Sequence, residues 1–185
     1  LVTGIAFWHY LYMRQHWIEL KDTPIILRYI DWIITVPLQI IEFYLILTAV
    51  TVVRVQLFWK LLLASIAMLV FGYLGEAQLI DPYIGFIIGL IAWFYIIYEI
   101  FIGEAANKNK SSGNTSSQFA FHTLRLIVTI GWAIYPLGYF LGYLTTAVDI
   151  NALNIIYNVA DLINKTAFGV AIWYAAILDS KTRTN

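Results

Sequence analysis

Five long apolar stretches, Ile25 to Val53, Leu57 to Gln78, Tyr83 to Phe101, Leu126 to Leu144 and Ile150 to Leu178, alternate with short polar connections along the chain. Each approaches or exceeds the ~20 residues with which a helix crosses the hydrocarbon of a bilayer, so each predicts a membrane-spanning helix. A sixth stretch, Leu1 to Met13, is too short to cross and starts without a methionine, a charged leader or a cap. It reads as the second half of a helix whose beginning lies before the first residue, and the sequence reads as N-terminally truncated.

Composition agrees with that pattern. Hydrophobic residues make up 61% of the chain and charged residues 12%, against about 25% charged in an ordinary soluble domain. An all-α, multi-pass membrane protein surrounded by lipid follows. Cysteine is absent, which excludes disulfides and thiolate metal sites. No nucleophile stands with a base, no phosphate-binding loop is present and net charge is zero. An enzyme, a soluble substrate, a nucleic-acid partner and a bound metal are therefore not expected.

Charge matters through its placement, because short loops rich in Lys and Arg face the cytoplasm. The connection Arg54 to Lys60, the connection carrying Lys108 and Lys110, and the tail with Lys181 and Arg183 are basic. Leu79 to Pro82 and Thr145 to Asp149 hold no Lys or Arg, and together with the mixed-charge segment Arg14 to Lys21 they fall on the other side. The two sets alternate, which predicts a cytoplasmic C-terminus and an outside-to-inside course for the span carrying Asp31. Ala106 to Ser117, rich in Lys, Asn, Ser and Gly, predicts a flexible linker between two spans. Residues 1–185 read as a single transmembrane domain without internal repeats.

Two spans carry ionisable groups that hydrocarbon does not tolerate unpaired. Lys165 sits alone in the last apolar stretch, four residues after Asp161, and that spacing puts both on one helix face. In the first complete span, Asp31, Thr35, Gln39 and Glu42 interrupt an apolar run. At about 100° per residue, Thr35 falls about 40° and Glu42 about 20° from Asp31. The carboxylates of Asp31 and Glu42 are then stacked on one line, roughly 16 Å apart along the axis, about half the hydrocarbon thickness. Either carboxylate alone reads equally well as an interfacial side chain reaching for water. Both on one face, with a lysine elsewhere in the bundle, make that interfacial reading much weaker. Arg28, one turn outward of Asp31, suits a cation that holds the carboxylate cluster ionised, or an interfacial anchor. Glu76 and Glu99 read as interfacial residues or as part of a subunit contact. His16 and His122 read as interfacial or loop residues without a role.

Arg28-Tyr29-Ile30-Asp31-Trp32 with Thr35-Val36-Pro37, then Trp132-Ala133-Ile134-Tyr135-Pro136, then Asp161 with Lys165, resemble the microbial (type 1) rhodopsins, and more narrowly the proteorhodopsins of marine bacteria. Ala6-Phe7-Trp8-His9-Tyr10, Phe71-Gly72-Tyr73 with Gly75-Glu76-Ala77, and Gly138-Tyr139-Phe140 with Gly142-Tyr143 extend the resemblance over essentially the whole chain. It implies a seven-transmembrane-helix bundle, here without its first helix and the start of the second, in a bacterial inner membrane, assembled as a homo-oligomer of five or six copies.

The resemblance also implies a chemistry residue by residue. Lys165 would bind all-trans retinal as a protonated Schiff base, with Asp31 as counterion and proton acceptor, Asp161 as second counterion and Glu42 as proton donor. His9, Arg28 and Thr35 would tune the acceptor, His9 by bonding Asp31. Tyr10, Trp32, Met68, Trp93, Trp132, Tyr135 and Pro136 would wall the retinal pocket. Gln39 would tune colour, since the resembled family carries leucine there in green-absorbing members and glutamine in blue-absorbing ones.

The function implied is a light-driven outward proton pump absorbing blue light. The alternative is a slow-cycling photosensory rhodopsin that signals through a partner; it would not need the internal donor Glu42. A sodium or chloride pump fits poorly with Asp31, Thr35 and Glu42 together. A retinal-free transporter built on Lys165 and Asp161 leaves the aromatic motifs unexplained.

Overall fold

The structure, a computed structural model, describes residues 1–20 and 23–183, so Lys21, the end of the mixed-charge segment, lies outside the described residues, as does the side chain of Arg183. The regular elements are helices: α1 (Val2–Leu20), α2 (Ile25–Thr48), α3 (Val55–Glu76), α4 (Pro82–Phe101), α5 (Glu104–Ser111), α6 (Thr115–Leu126), α7 (Ile134–Tyr139) and α8 (Ile150–Arg183). Two π-helical turns, Ile127–Gly131 and Phe140–Leu144, flank α7. Among the described residues, five helices are long and apolar enough to cross a membrane: α2, α3, α4 continued through α5, Thr115–Leu144 as one run, and α8. The protein is thus an all-helical, multi-pass membrane protein.

Helix starts are written locally. Asp81 Oδ1 accepts the amides of Tyr83 and Ile84 at 2.8 and 3.3 Å, and Pro82 follows where a first-turn residue has no need to donate. Asn114 Oδ1 accepts the Ser117 amide at 2.7 Å, and Asp149 Oδ1 accepts those of Asn151 and Ala152 at 2.9 and 3.1 Å.

The linker expected at Ala106 to Ser117 is mostly helix. Glu104 lies in the first turn of α5 and Lys108 and Lys110 in its last, the arrangement that complements the helix dipole, and only Ser112 to Asn114 separates α5 from α6. Glu99 Oε2 accepts the Glu104 amide at 2.9 Å and fixes the start of α5. The span expected to open at Leu126 therefore starts at Thr115, and Lys108 and Lys110 are helical. Lys60 is likewise inside α3, and the connection there ends at Arg54. The first apolar stretch belongs to a helix that runs past Met13 to Leu20, carrying His16 with it.

Burial is opposite in sense to that of a soluble bundle. On α4, Ile87, Ile91, Phe94 and Tyr98 are all more than half exposed, and their spacing makes one apolar stripe on the outside of the bundle, suited to lipid. Inside, α2 turns Arg28, Asp31, Thr35 and Gln39 into the bundle, all essentially inaccessible. Glu76 and Glu99 are buried as well, at 4% and 3% exposure, so neither side chain lies open on the surface of the bundle. Close approach of α3 and α4 depends on Gly75 and Gly85: a Cβ on Gly85 would stand 2.7 Å from Phe71 O and 2.8 Å from Gly75 Cα.

Candidate functional site

Lys165 Nζ meets two carboxylates, Asp31 Oδ2 at 2.5 Å and Asp161 Oδ2 at 2.6 Å, and all three side chains are buried. Asp161 and Lys165 are adjacent turns of α8, while Asp31 comes from α2, so packing of these helices assembles the triad. Desolvating three charges together is tolerable only where each finds partners.

The two carboxylates are satisfied unequally. Asp161 Oδ2 also accepts Tyr10 Oη at 2.5 Å and Trp32 Nε1 at 3.0 Å, and its Oδ1 accepts Tyr135 Oη at 2.5 Å. Four donors from α1, α2, α7 and α8 surround it. Asp31 has looser company: His9 Nδ1 stands 3.1 Å from Oδ1, and Thr35 Oγ1 is 3.4 Å from Oδ2 while donating to the Asp31 carbonyl at 2.9 Å. Among the described residues, Arg28 makes its hydrogen bond and ion pair with groups other than Asp31. Its Nη2 donates to Asn154 Oδ1 at 2.6 Å, its Nη1 stands 3.8 Å from Glu76 Oε2, and its guanidinium lies over the rings of Tyr157 and Trp32 at 5.0 and 5.8 Å. The chain turns this cation one turn away because a second buried carboxylate, Glu76, awaits it there.

From Lys165 a cavity with about 780 Å³ of atom-free space, part of it open to the surroundings, runs between α2, α3, α4, α7 and α8. Trp32, Met68, Trp93, Trp132, Tyr135, Pro136 and Gln39 all line it. Tyr10 does not; it serves Asp161 instead. Gln39 is 1% exposed, and its Nε2 has no hydrogen-bond partner among the described residues. A second cavity, with about 620 Å³ of atom-free space that likewise is partly open to the surroundings, is lined by Glu42, Lys165, Leu38 and Phe168 together with Leu1, Val2 and Thr3 at the start of the chain. Glu42 itself is half-buried.

Sequence reasoning passed over Asn154, Tyr157 and Asn164, although one signal was available. Asn154, Asp161 and Lys165 are spaced by seven and four residues, within about 20° of one helix face, so the face that bears the lysine continues as a polar stripe. Asn164, between Ile163 and Lys165, looks idle in sequence, yet its Nδ2 donates to Gly131 O at 3.0 Å.

Known proteins resemble this chain over most of its length. A family profile described as bacteriorhodopsin-like protein matches residues 1–178. The green-light absorbing proteorhodopsin of Gamma-proteobacterium EBAC31A08 is 54% identical, over 97% of this chain and 72% of its own. The blue-light absorbing proteorhodopsin of Gamma-proteobacterium Hot 75m4 is 50% identical, over the same shares. The crystal structure of a blue light-absorbing proteorhodopsin from Med12 superimposes with a TM-score of 0.82 at 57% identity, covering 97% of this chain and 80% of that one. The buried lysine with its two carboxylates, the aromatic cavity beside it and these likenesses agree: the chain belongs to the bacteriorhodopsin-like family, the microbial rhodopsins, and that membership implies a retinal chromophore.

Proposed function

We propose that the protein is a light-driven outward proton pump of a bacterial inner membrane, blue-absorbing, that carries all-trans retinal on Lys165 through a Schiff base within a seven-helix bundle. The observation that carries this reading is the position of Lys165 Nζ, shared between Asp31 and Asp161 and opening on two cavities. The residues fit the group: the cavity beside Trp32 and Tyr135 is walled by indole, phenol and thioether side chains, includes the primary amine of Lys165 in its lining and has the Gln39 amide, with its unpartnered Nε2, on its wall. Retinal, when bound, supplies absorption of visible light and a change of shape on excitation.

The chain's own groups divide the proton work. Asp31 is the acceptor, because its oxygens have room for a proton, whereas those of Asp161 are taken up by Lys165, Tyr10, Trp32 and Tyr135. Asp161 stays as the fixed negative partner of the Lys165 nitrogen. His9 and Thr35 orient the Asp31 carboxyl so that Oδ2 faces that nitrogen. Glu42 replaces the lost proton from the opposite end of α2, across the cavity it shares with Lys165. Basic connections on the Glu42 side put that end in the cytoplasm, with the C-terminus, so a proton that leaves past Asp31 moves outward.

Relatives of nearly equal identity are green- and blue-absorbing, so colour rests on Gln39. A buried amide beside the cavity's middle opposes the displacement of charge on excitation and raises the transition energy.

The test is the pH of an unbuffered suspension of cells making the protein with added retinal, followed as light is switched on. Acidification abolished by a protonophore supports the pump. A pigment that forms without any pH change supports the sensory alternative, and alkalinisation enhanced by the protonophore points to transport of another ion.

A further inference from the structure

The helix that carries Trp132, Tyr135 and Pro136 is broken just before them, and the break has a traceable cause. Pro136 has no N–H, so Trp132 O loses the donor a regular helix would supply. Tyr135 N donates to Trp132 O instead, at 3.1 Å, and so abandons Gly131 O. One turn earlier, Trp132 N donates across a π turn to Ile127 O at 3.0 Å and abandons Val128 O. Side chains from two other helices take up these carbonyls. Asn164 Nδ2 donates to Gly131 O and Trp93 Nε1 to Val128 O, each at 3.0 Å. Both donors are buried and both line the cavity at Lys165. Asn164 immediately precedes Lys165 and stands 3.4 Å from Tyr135 Oη, which holds Asp161. Gly131 makes room for it, since a Cβ at that position would collide with Asn164 Oδ1.

We propose that Asn164 and Trp93 are positioning residues forming a two-point latch on this break, each fastening a carbonyl that the break leaves free, and that together they set where the Thr115–Leu126 half stands relative to α2. Breaks in the helical ladder of this kind are where helices bend. Here both fastenings of the break are walls of the cavity. The latch itself exists in the dark and without retinal.

The chain has no cysteine, so spin labels on His122→Cys in α6 and Leu45→Cys in α2, both exposed positions, report one distance. It is measured in the dark, before and after retinal is added. Asn164→Leu, which keeps the bulk but donates nothing, is expected to displace or broaden the dark distance by ~2 Å or more, the scale of helix shifts. Gly131→Ala, which expels Asn164 from the other side, is expected to do the same. Dark distances in both variants that coincide with the parent's overturn the latch. Should either variant fail to form pigment, Trp93→Phe, which removes the second donor alone, decides by the same distance. Dark distances do not depend on pumping, so a protein that proves to be a sensor leaves this test intact.

Discussion

Trp32 donates its indole N–H to Asp161 Oδ2 at 3.0 Å, so one side chain both walls the cavity and holds the carboxylate that pairs with Lys165. Trp32→Phe separates these two roles. The wall is kept and one of four donors to a buried charge is lost, which at about 1.5–3 kcal/mol for a bond to a charged group should lower stability by that order. Asp161 then bears more of its charge toward Lys165, and the bound pigment should absorb at shorter wavelength. Thermal unfolding and the absorption maximum check both effects; an unchanged spectrum with unchanged stability would mean the bond carries no weight.

Asp31 and Asp161 should fail differently when neutralised. Asp161→Asn leaves Lys165 with one carboxylate and sets an amide N–H against Tyr10, Trp32 or Tyr135, all donors, so the loss should approach the ~3–5 kcal/mol of a broken buried pair. Asp31→Asn disturbs only His9, Thr35 and the ammonium; the pigment should form in better yield, with no light-driven acidification. Pigment yield on adding retinal and pH recordings in light distinguish the two variants. Equal yields would show that the number of donors does not set the division of roles.

Glu42→Gln should leave the outward step intact and slow reloading. Release within a single flash should keep its amplitude, while turnover in steady light should fall by about a hundredfold or more, the scale of lost general acid-base assistance. A small permeant weak acid should restore turnover by delivering protons through the cavity that Glu42 and Lys165 share. If turnover is unaffected, Glu42 is not the donor. Gln39→Leu, by contrast, should move absorption to longer wavelength without reducing acidification, because its buried Nε2 has no bond to lose.

Much of this site is legible in the sequence, and the reason is physical. Charges in hydrocarbon are so costly that Asp31, Asp161 and Lys165 announce themselves against apolar neighbours, and helical spacing then orders them on faces. Partner choice is not legible. Arg28 is equally spaced to serve Asp31, and only the packing of α3 beside α2 shows that Glu76 takes it. The helicity of Glu104–Ser111 was hidden for a different reason: Lys, Asn and Ser read as loop residues, but the Glu99 carboxylate at the N-terminus and the lysines in the last turn favour a helix. The break before Trp132 follows from Pro136, yet which side chains mend it depends on helices far away in sequence.

The Arg28–Glu76 pair gives the sharpest test of partner choice. Nη1 and Oε2 lie 3.8 Å apart, 1% and 2% exposed, and Arg28 Nε and Nη1, Glu76 Oε2 and Tyr143 Oη lack hydrogen-bond partners among the described residues. Polar atoms so deeply buried call for ordered water between them. Arg28→Gln strands the Glu76 carboxylate and should cost about 3–5 kcal/mol, as removal of one member of a buried pair does. Glu76→Gln should cost less, because the guanidinium keeps Asn154 and the rings of Tyr157 and Trp32. The double variant should be more stable than Arg28→Gln alone, since it removes the stranded charge, and the difference measured by a double-mutant cycle is the coupling of the pair. Additive losses would place Arg28's real partner elsewhere and return Asp31 as the candidate, which the same cycle with Asp31→Asn would then detect.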